Sequence, residues 1–389
     1  MIAPILRPLA RRDPQEQHRT ASPLELFTDL CYVVAIAQAA LSLHHEVSAG
    51  HPGHGLVWFS ISFFAIFWAW LNFVWFNSAY DPDDTTNRLL TLLQIFGSLV
   101  LAAGIPRMFE EDLTLGIIGY VIMRVGLVLM WVRAAAGHPE RRRTALRYAI
   151  GLIAVQTGWV VALLATQGHL PIWLFVIGVS LDFAVPFYAE RAGATPWHPH
   201  HIAERYGLFF IIVLGETILS VTIALQVAFD EGKPPPELWY VVGGGVLVTF
   251  AGWWLYFARD NADILSGNRV GFVWGFGHYV IFGAAAAVGA GLAARVDFYT
   301  DHSKVSDDMS SAFVTVPAAA FLAALWLVSI RLHDSSARTL VPFGLAVAAL
   351  LATTYVPYSE LWAGLIFVLL LVAELRLTTG SDETVRAAS

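Results

Sequence analysis

Leu24-Glu25-Leu26-Phe27-Thr28-Asp29-Leu30-Cys31-Tyr32-Val33-Val34-Ala35-Ile36 opens an apolar run that continues to Leu43. About twenty apolar residues in a row cross the hydrocarbon of a bilayer as one helix. Carboxylates inside such a run are costly and need partners. Working outward, comparable runs recur at 24–43, 56–77, 88–106, 113–133, 146–166, 170–189, 202–226, 238–258, 271–294, 313–332, 339–356 and 359–375. The fold read from them is all-α, a polytopic transmembrane helix bundle of about twelve spans. Composition agrees: 57% of the 389 residues are hydrophobic and 14% charged, against about 25% charged in a soluble domain. Mean hydropathy is +0.62.

The lone Cys31 lies in an apolar run, so no intrachain disulfide forms. Residues 1–22 read as a basic cytoplasmic tail carrying Arg7, Arg11, Arg12 and Arg19. Met1–Leu9 is too short and too proline-broken for a cleavable signal. Residues 377–389 read as a second tail. With the N-terminus inside, 18 Lys and Arg fall on the cytoplasmic side and 4 on the far side, Arg124 lying within a span. Positive charge marks the cytoplasmic face, so both termini are expected in the cytoplasm and the location is a plasma (inner) membrane.

The chain reads as two parallel six-helix repeats, residues 23–190 and 191–376. Glu25-Leu26-Phe27 is matched by Glu204-Arg205-Tyr206 at an offset of 179, Asn87-Arg88 by Asn268-Arg269 at 181, and Phe96-Gly97 by Phe276-Gly277 at 180. Tryptophan clusters stand at Trp68, Trp70 and Trp75 and at Trp253 and Trp254. Six helices is an even number, so the halves share an orientation and a pseudo-twofold axis along the membrane normal is expected. A central route would follow that axis.

The segment Leu24–Leu30, with His201-Ile202-Ala203-Glu204-Arg205-Tyr206-Gly207 and Leu214-Gly215-Glu216-Thr217-Ile218, resembles the bacterial low temperature requirement A family over essentially the whole chain. The resemblance implies a multi-pass inner-membrane protein and brings no established activity. Members usually carry a second aromatic where Thr28 stands. Phe27-Thr28-Asp29 is also similar in organisation to the Phe-Ser-Asp of the lysosomal two-repeat potassium channel family, which implies ion conduction.

Several polar residues are candidates for a route. Glu25 and Arg88 sit at the cytoplasmic ends of spans one and three, and Glu204 and Arg269 at those of seven and nine. Two related ion pairs are expected, serving either as staples of helix ends or as a cytoplasmic gate. Each acid also suits a helix N-terminus, where the dipole favours negative charge. Asp29, one turn past Glu25, starts a stripe through Tyr32 and Ile36; its counterpart is Glu204, Leu208, Ile211 and Gly215. Ile36 and Ile211 are either packing residues or a hydrophobic constriction of the kind that gates by dewetting. Glu216 lies 12 residues past Glu204, about 18 Å deeper, where a carboxyl is protonated or paired; His278 is a candidate partner. Arg124 and Asp182 have matching depths and are expected to form a buried pair, structural or part of an ion path.

His200, His201 and Glu204 have zinc-like spacing, but no His-Glu-x-x-His signature or cysteine ligand accompanies them, and interfacial anchoring explains them as well. His44, His45, His51 and His54 form a far-side group open to the same two readings or to pH sensing. Gly283, Ala287 and Gly291 make a small-residue ridge for close helix packing, and Gly243–Gly245 a flexible point. No nucleotide-binding loop, nucleophile elbow or basic nucleic-acid face is present. No cofactor, no nucleic-acid partner and no enzymatic activity is expected.

The expected function is a channel or secondary transporter for a small ion or solute, in contact with lipid and compatible with a homo-oligomer. The alternative is a non-transporting sensor or accessory protein that supports growth in the cold.

Overall fold

A computed structural model describes residues 20–80, 82–230, 232, 235–265 and 267–388. Twelve helices form among the described residues: α1 Pro23–Ser48, α2 Pro52–Ala79, α3 Thr85–Phe109, α4 Thr114–Gly137, α5 Arg142–Ala165, α6 Ile172–Glu190, α7 Pro199–Asp230, α8 Leu238–Phe257, α9 Asn268–Tyr299, α10 Asp307–His333, α11 Ala337–Thr353 and α12 Ser359–Ala388. Ten are long and apolar enough to cross a membrane. A further apolar helix, α11, is shorter, with 17 residues. The protein is therefore a multi-pass membrane protein, and large apolar side chains such as Ile150, Leu164, Phe250 and Leu369 are exposed on its helices, as lipid contact requires.

Local chemistry sets the helix ends. Asp84 caps α3 by accepting the Asn87 N–H at 2.7 Å, and Ser306 and Ser336 cap α10 and α11 in the same way. Pro52 and Pro199 stand at the first positions of α2 and α7, where a missing N–H costs nothing.

The chain condenses into two compact units. Of the described residues, the first comprises those up to Ala39 and those in Ile61–Phe209; the second comprises Ala40–Ser60 and those from Phe210 onward. In the first, α3 packs on α4, α4 on α5 and α5 on α6. Its core holds Phe73, Phe76, Tyr80, Trp131 and Tyr148, with the Trp131 and Tyr148 rings stacked at 4.1 Å. The α3–α4 contact is close because both sides are glycine: a Cβ on Gly97 would lie 2.7 Å from the Gly119 carbonyl oxygen.

In the second unit α9 packs on α10, α10 on α11, α11 on α12, and α8 on α12. The ridge read at Gly283, Ala287 and Gly291 is buried. At Gly291 a Cβ would lie 2.0 Å from the Phe313 carbonyl oxygen. Close backbone approach, the usual adhesive between helices in lipid, needs glycine there.

Candidate functional site

The most polar interior of the first unit lies where α1 meets the opening turns of α7. Ser22 and Glu25 form a capping box: the Ser22 N–H donates to Glu25 Oε2 at 2.8 Å, and the Glu25 N–H to Ser22 Oγ at 3.3 Å. The cap holds one Glu25 oxygen at the helix start and leaves Oε1 for the interior. Arg205 Nη1 donates to Oε1 at 2.8 Å and His201 Nε2 stands 3.1 Å from it. Asp29 takes the other side of the same guanidinium, accepting from Arg205 Nη2 at 2.6 Å and Nε at 3.0 Å. Trp70 Nε1 donates to Asp29 Oδ1 at 2.7 Å. Such bidentate, charge-assisted contacts are among the strongest hydrogen bonds a protein makes.

This cluster is dry. Asp29, His201 and Arg205 are 0% exposed and Glu25 is 3% exposed. Aromatics close it off: Trp70 stacks on Phe209 at 4.2 Å and meets Tyr206 edge-on at 4.8 Å. Trp75 Nε1 donates to the Tyr206 hydroxyl at 3.1 Å.

Glu25 also lines a cleft of about 420 Å³ together with Asn77, Asp83, Asn87, Arg88 and Thr91. The Thr91 hydroxyl is buried there with no hydrogen-bond partner among the described residues. Arg88 pairs with Asp83 at 2.9 Å, so the expected Glu25–Arg88 pair is replaced by Glu25–Arg205.

Deeper in the unit, the expected pair of Arg124 and Asp182 forms at 3.6 Å. Asp182 accepts indole N–H groups from Trp68 at 3.2 Å and Trp159 at 2.8 Å. Arg124 donates to the Tyr120 hydroxyl at 3.1 Å. Asp182, Tyr120, Gln156 and Trp159 line a second cavity of about 50 Å³. The Gln156 amide nitrogen is buried there without a hydrogen-bond partner among the described residues. The cleft meets α3 at Asn87, Arg88 and Thr91, the cavity meets it at Leu101 and Met108. The two therefore lie toward opposite ends of one membrane-spanning helix. Tyr32, one turn beyond Asp29, donates its hydroxyl to Met123 Sδ at 3.3 Å, on the helix that carries Tyr120 and Arg124.

The other expected residues scatter. Ile36 is fully buried in the first unit, whereas Ile211, in the second, is 44% exposed. Glu204 and Glu216 are half-buried and Arg269 is exposed. His278 is fully buried, 3.0 Å from the Tyr256 hydroxyl and 2.8 Å from the Trp274 carbonyl oxygen. His200 is exposed, and no metal-holding group of three or more His, Cys, Asp or Glu occurs among the described residues. His44 pairs with Asp297 at 2.7 Å, and His51 and His54 approach Glu46 at 3.5 and 3.2 Å.

The sequence profile of the bacterial low temperature requirement A protein matches residues 20–374. The chain belongs to the LtrA family. An uncharacterised protein of Rhizobium meliloti (strain 1021) is 28% identical over 291 residues, covering 70% of this chain and 68% of that protein. Both polar clusters of this LtrA protein fall inside the matched region.

Arg205 is the principal residue that the sequence did not single out as a candidate; it stands there only within the quoted motifs and as a cytoplasmic charge. A signal was present. His201, Arg205 and Phe209 recur at helical spacing with Tyr206 and Phe210, which marks the inward face of α7. The stripe Glu204, Leu208, Ile211, Gly215 is the opposite, less buried face. Arg295 in the second unit was likewise counted as a loop charge. It is fully buried, donating to Asp307 and to Glu360 Oε2 at 3.1 Å.

Proposed function

We propose that this LtrA protein is a membrane transport protein, a channel or secondary transporter for a small ion or solute, and that its route runs through the first unit. One observation carries this reading. Two cavities toward opposite ends of α3 each reach a membrane carboxylate, Glu25 and Asp182, and each carboxylate has buried ionisable neighbours: Asp29 and Arg205 by Glu25, Arg124 and Tyr120 by Asp182. Buried ionisable residues are expensive in lipid and mark ion or proton pathways by default. The packing order α3–α4–α5–α6 in the first unit and α9–α10–α11–α12 in the second supports the duplication read from sequence, without requiring the route to follow its axis.

The accessory reading draws on the same residues, because Asp29 accepts three hydrogen bonds, as a structural staple does. Flux separates the two. Purified protein in sealed vesicles is expected to pass at least one of protons, alkali cations or small solutes down an imposed gradient. Vesicles as tight as protein-free ones under every gradient rule transport out.

A further inference from the structure

We infer that the transported or coupling ion is the proton, loaded at the Glu25–Asp29–His201–Arg205 cluster and relayed through Tyr32 and Tyr120 to Asp182. The inference rests on the transport reading above and adds the chemical identity of the ion.

Three observations carry it. The first is donor chemistry. A metal cation needs a shell of oxygens that replaces its water. Here the acceptor oxygens face N–H groups instead. Asp29 is held by the Arg205 guanidinium and the Trp70 indole, and Asp182 by the indoles of Trp68 and Trp159 with Arg124 beside it. An N–H cannot ligate a cation, whereas a proton needs one lone pair.

The second is charge balance. Glu25 and Asp29 bring two negative charges and Arg205 brings one positive charge into a dry site. One more proton makes the cluster neutral. The groups facing Asp29 are Glu25 on its own helix, which shares Arg205 with it, Arg205 itself on α7 and Trp70 on α2; His201 faces Glu25. The Arg124–Asp182 pair is neutral as it stands. The proton-loading site is thus the one whose outermost member, Glu25, lines the cleft.

The third is the gap between the two acids. It holds phenols: Tyr32 is 0% exposed and its hydroxyl reaches Met123 on α4, the helix that also carries Tyr120, which lines the second cavity together with Asp182. A phenol passes a proton by accepting it on the oxygen lone pair while releasing its own hydrogen onward. The sequence of steps balances. A proton from the cleft forms an N–H on His201 or an O–H on Glu25; that bond breaks as an Asp29 O–H forms. The Asp29 proton passes to Tyr32 and Tyr120, each making one O–H and breaking one, and then to Asp182. Asp182 yields it to water in the second cavity, whose volume of about 50 Å³ holds about three to five waters. The hydrogen bond from Tyr32 to Met123 Sδ points the phenol hydrogen at a thioether that cannot pass it on, so this contact is the closed state of the relay.

The test uses the full chain in vesicles loaded with a pH-sensitive dye, driven by a pH gradient or a potassium diffusion potential, with sodium and rubidium uptake measured in parallel. Proton flux is expected, unchanged when sodium replaces N-methylglucamine. Tyr32→Phe and Tyr120→Phe, which keep volume and lose one oxygen each, should cut it at least tenfold while eluting as folded protein; Asp182→Asn should do the same. Met123→Leu should raise it severalfold, and Glu140→Gln, on an exposed loop, should leave it unchanged. Sodium or rubidium flux without proton flux overturns the proton assignment and leaves transport standing. Proton flux unaltered by Tyr32→Phe and Asp182→Asn overturns the relay. No flux of any species overturns both.

Discussion

Replacing Arg205 by Met probes the central cluster most severely. Arg205 makes three hydrogen bonds of 2.6, 2.8 and 3.0 Å to two buried carboxylates. Methionine fills most of the volume and leaves Glu25 and Asp29 facing each other with only His201 to offset them. Breaking a buried ion pair from one side costs about 3–5 kcal/mol, because a charge is left without compensation. In a domain of this size 1 kcal/mol shifts Tm by about 2–4 °C, so a drop of roughly 10 °C is expected for detergent-solubilised protein, read by thermal-shift size-exclusion chromatography. The triple variant Arg205→Met, Glu25→Gln, Asp29→Asn removes charge on both sides and should recover more than half of the loss. Arg205→Met within about 2 °C of the wild type, or a triple variant no better than the single one, would refute the claim that the cluster is held by charge pairing.

Three further outcomes are expected. Gly291→Val should lower yield and Tm strongly, since even a Cβ would meet the Phe313 carbonyl oxygen at 2.0 Å; a well-folded Val variant would contradict the close α9–α10 contact. Cys31 is buried, so in Thr91→Cys protein a small cationic thiol reagent should label the new cysteine through the cleft; no labelling in folded protein would show the cleft to be closed to water. Glu140→Cys should react with an impermeant reagent only from the cytoplasmic side and Asp301→Cys only from the far side; the reverse would invert the charge-based orientation.

The twelve helices were legible because a run of about twenty apolar residues has few other uses. Their ends were less so. The first two spans read as 24–43 and 56–77, whereas α1 continues through His44 and His45 to Ser48 and α2 begins at Pro52: helices extend past the hydrocarbon wherever the backbone can be satisfied, and hydropathy does not register this. The Arg124–Asp182 pair was legible because depth can be counted along two helices that run the same way. The partner of Glu25 was not. Span order placed Arg88 near it, but Asp83, five residues earlier in the chain, takes Arg88, and Arg205 reaches Glu25 from 180 residues away. A charge at a helix end reads as topology until the face it occupies is known. The grouping of residues 40–60 with the second compact unit is a tertiary arrangement that no linear count of spans contains.

The claim that the polar interior of the first unit is a route stands most directly on electrical recording from a planar or solid-supported membrane bearing the purified protein. A current under an imposed gradient is expected, one that collapses in Asp182→Asn protein of wild-type fold. A silent wild-type protein, or an Asp182→Asn variant that conducts like it, would leave the buried acids with packing as their only role.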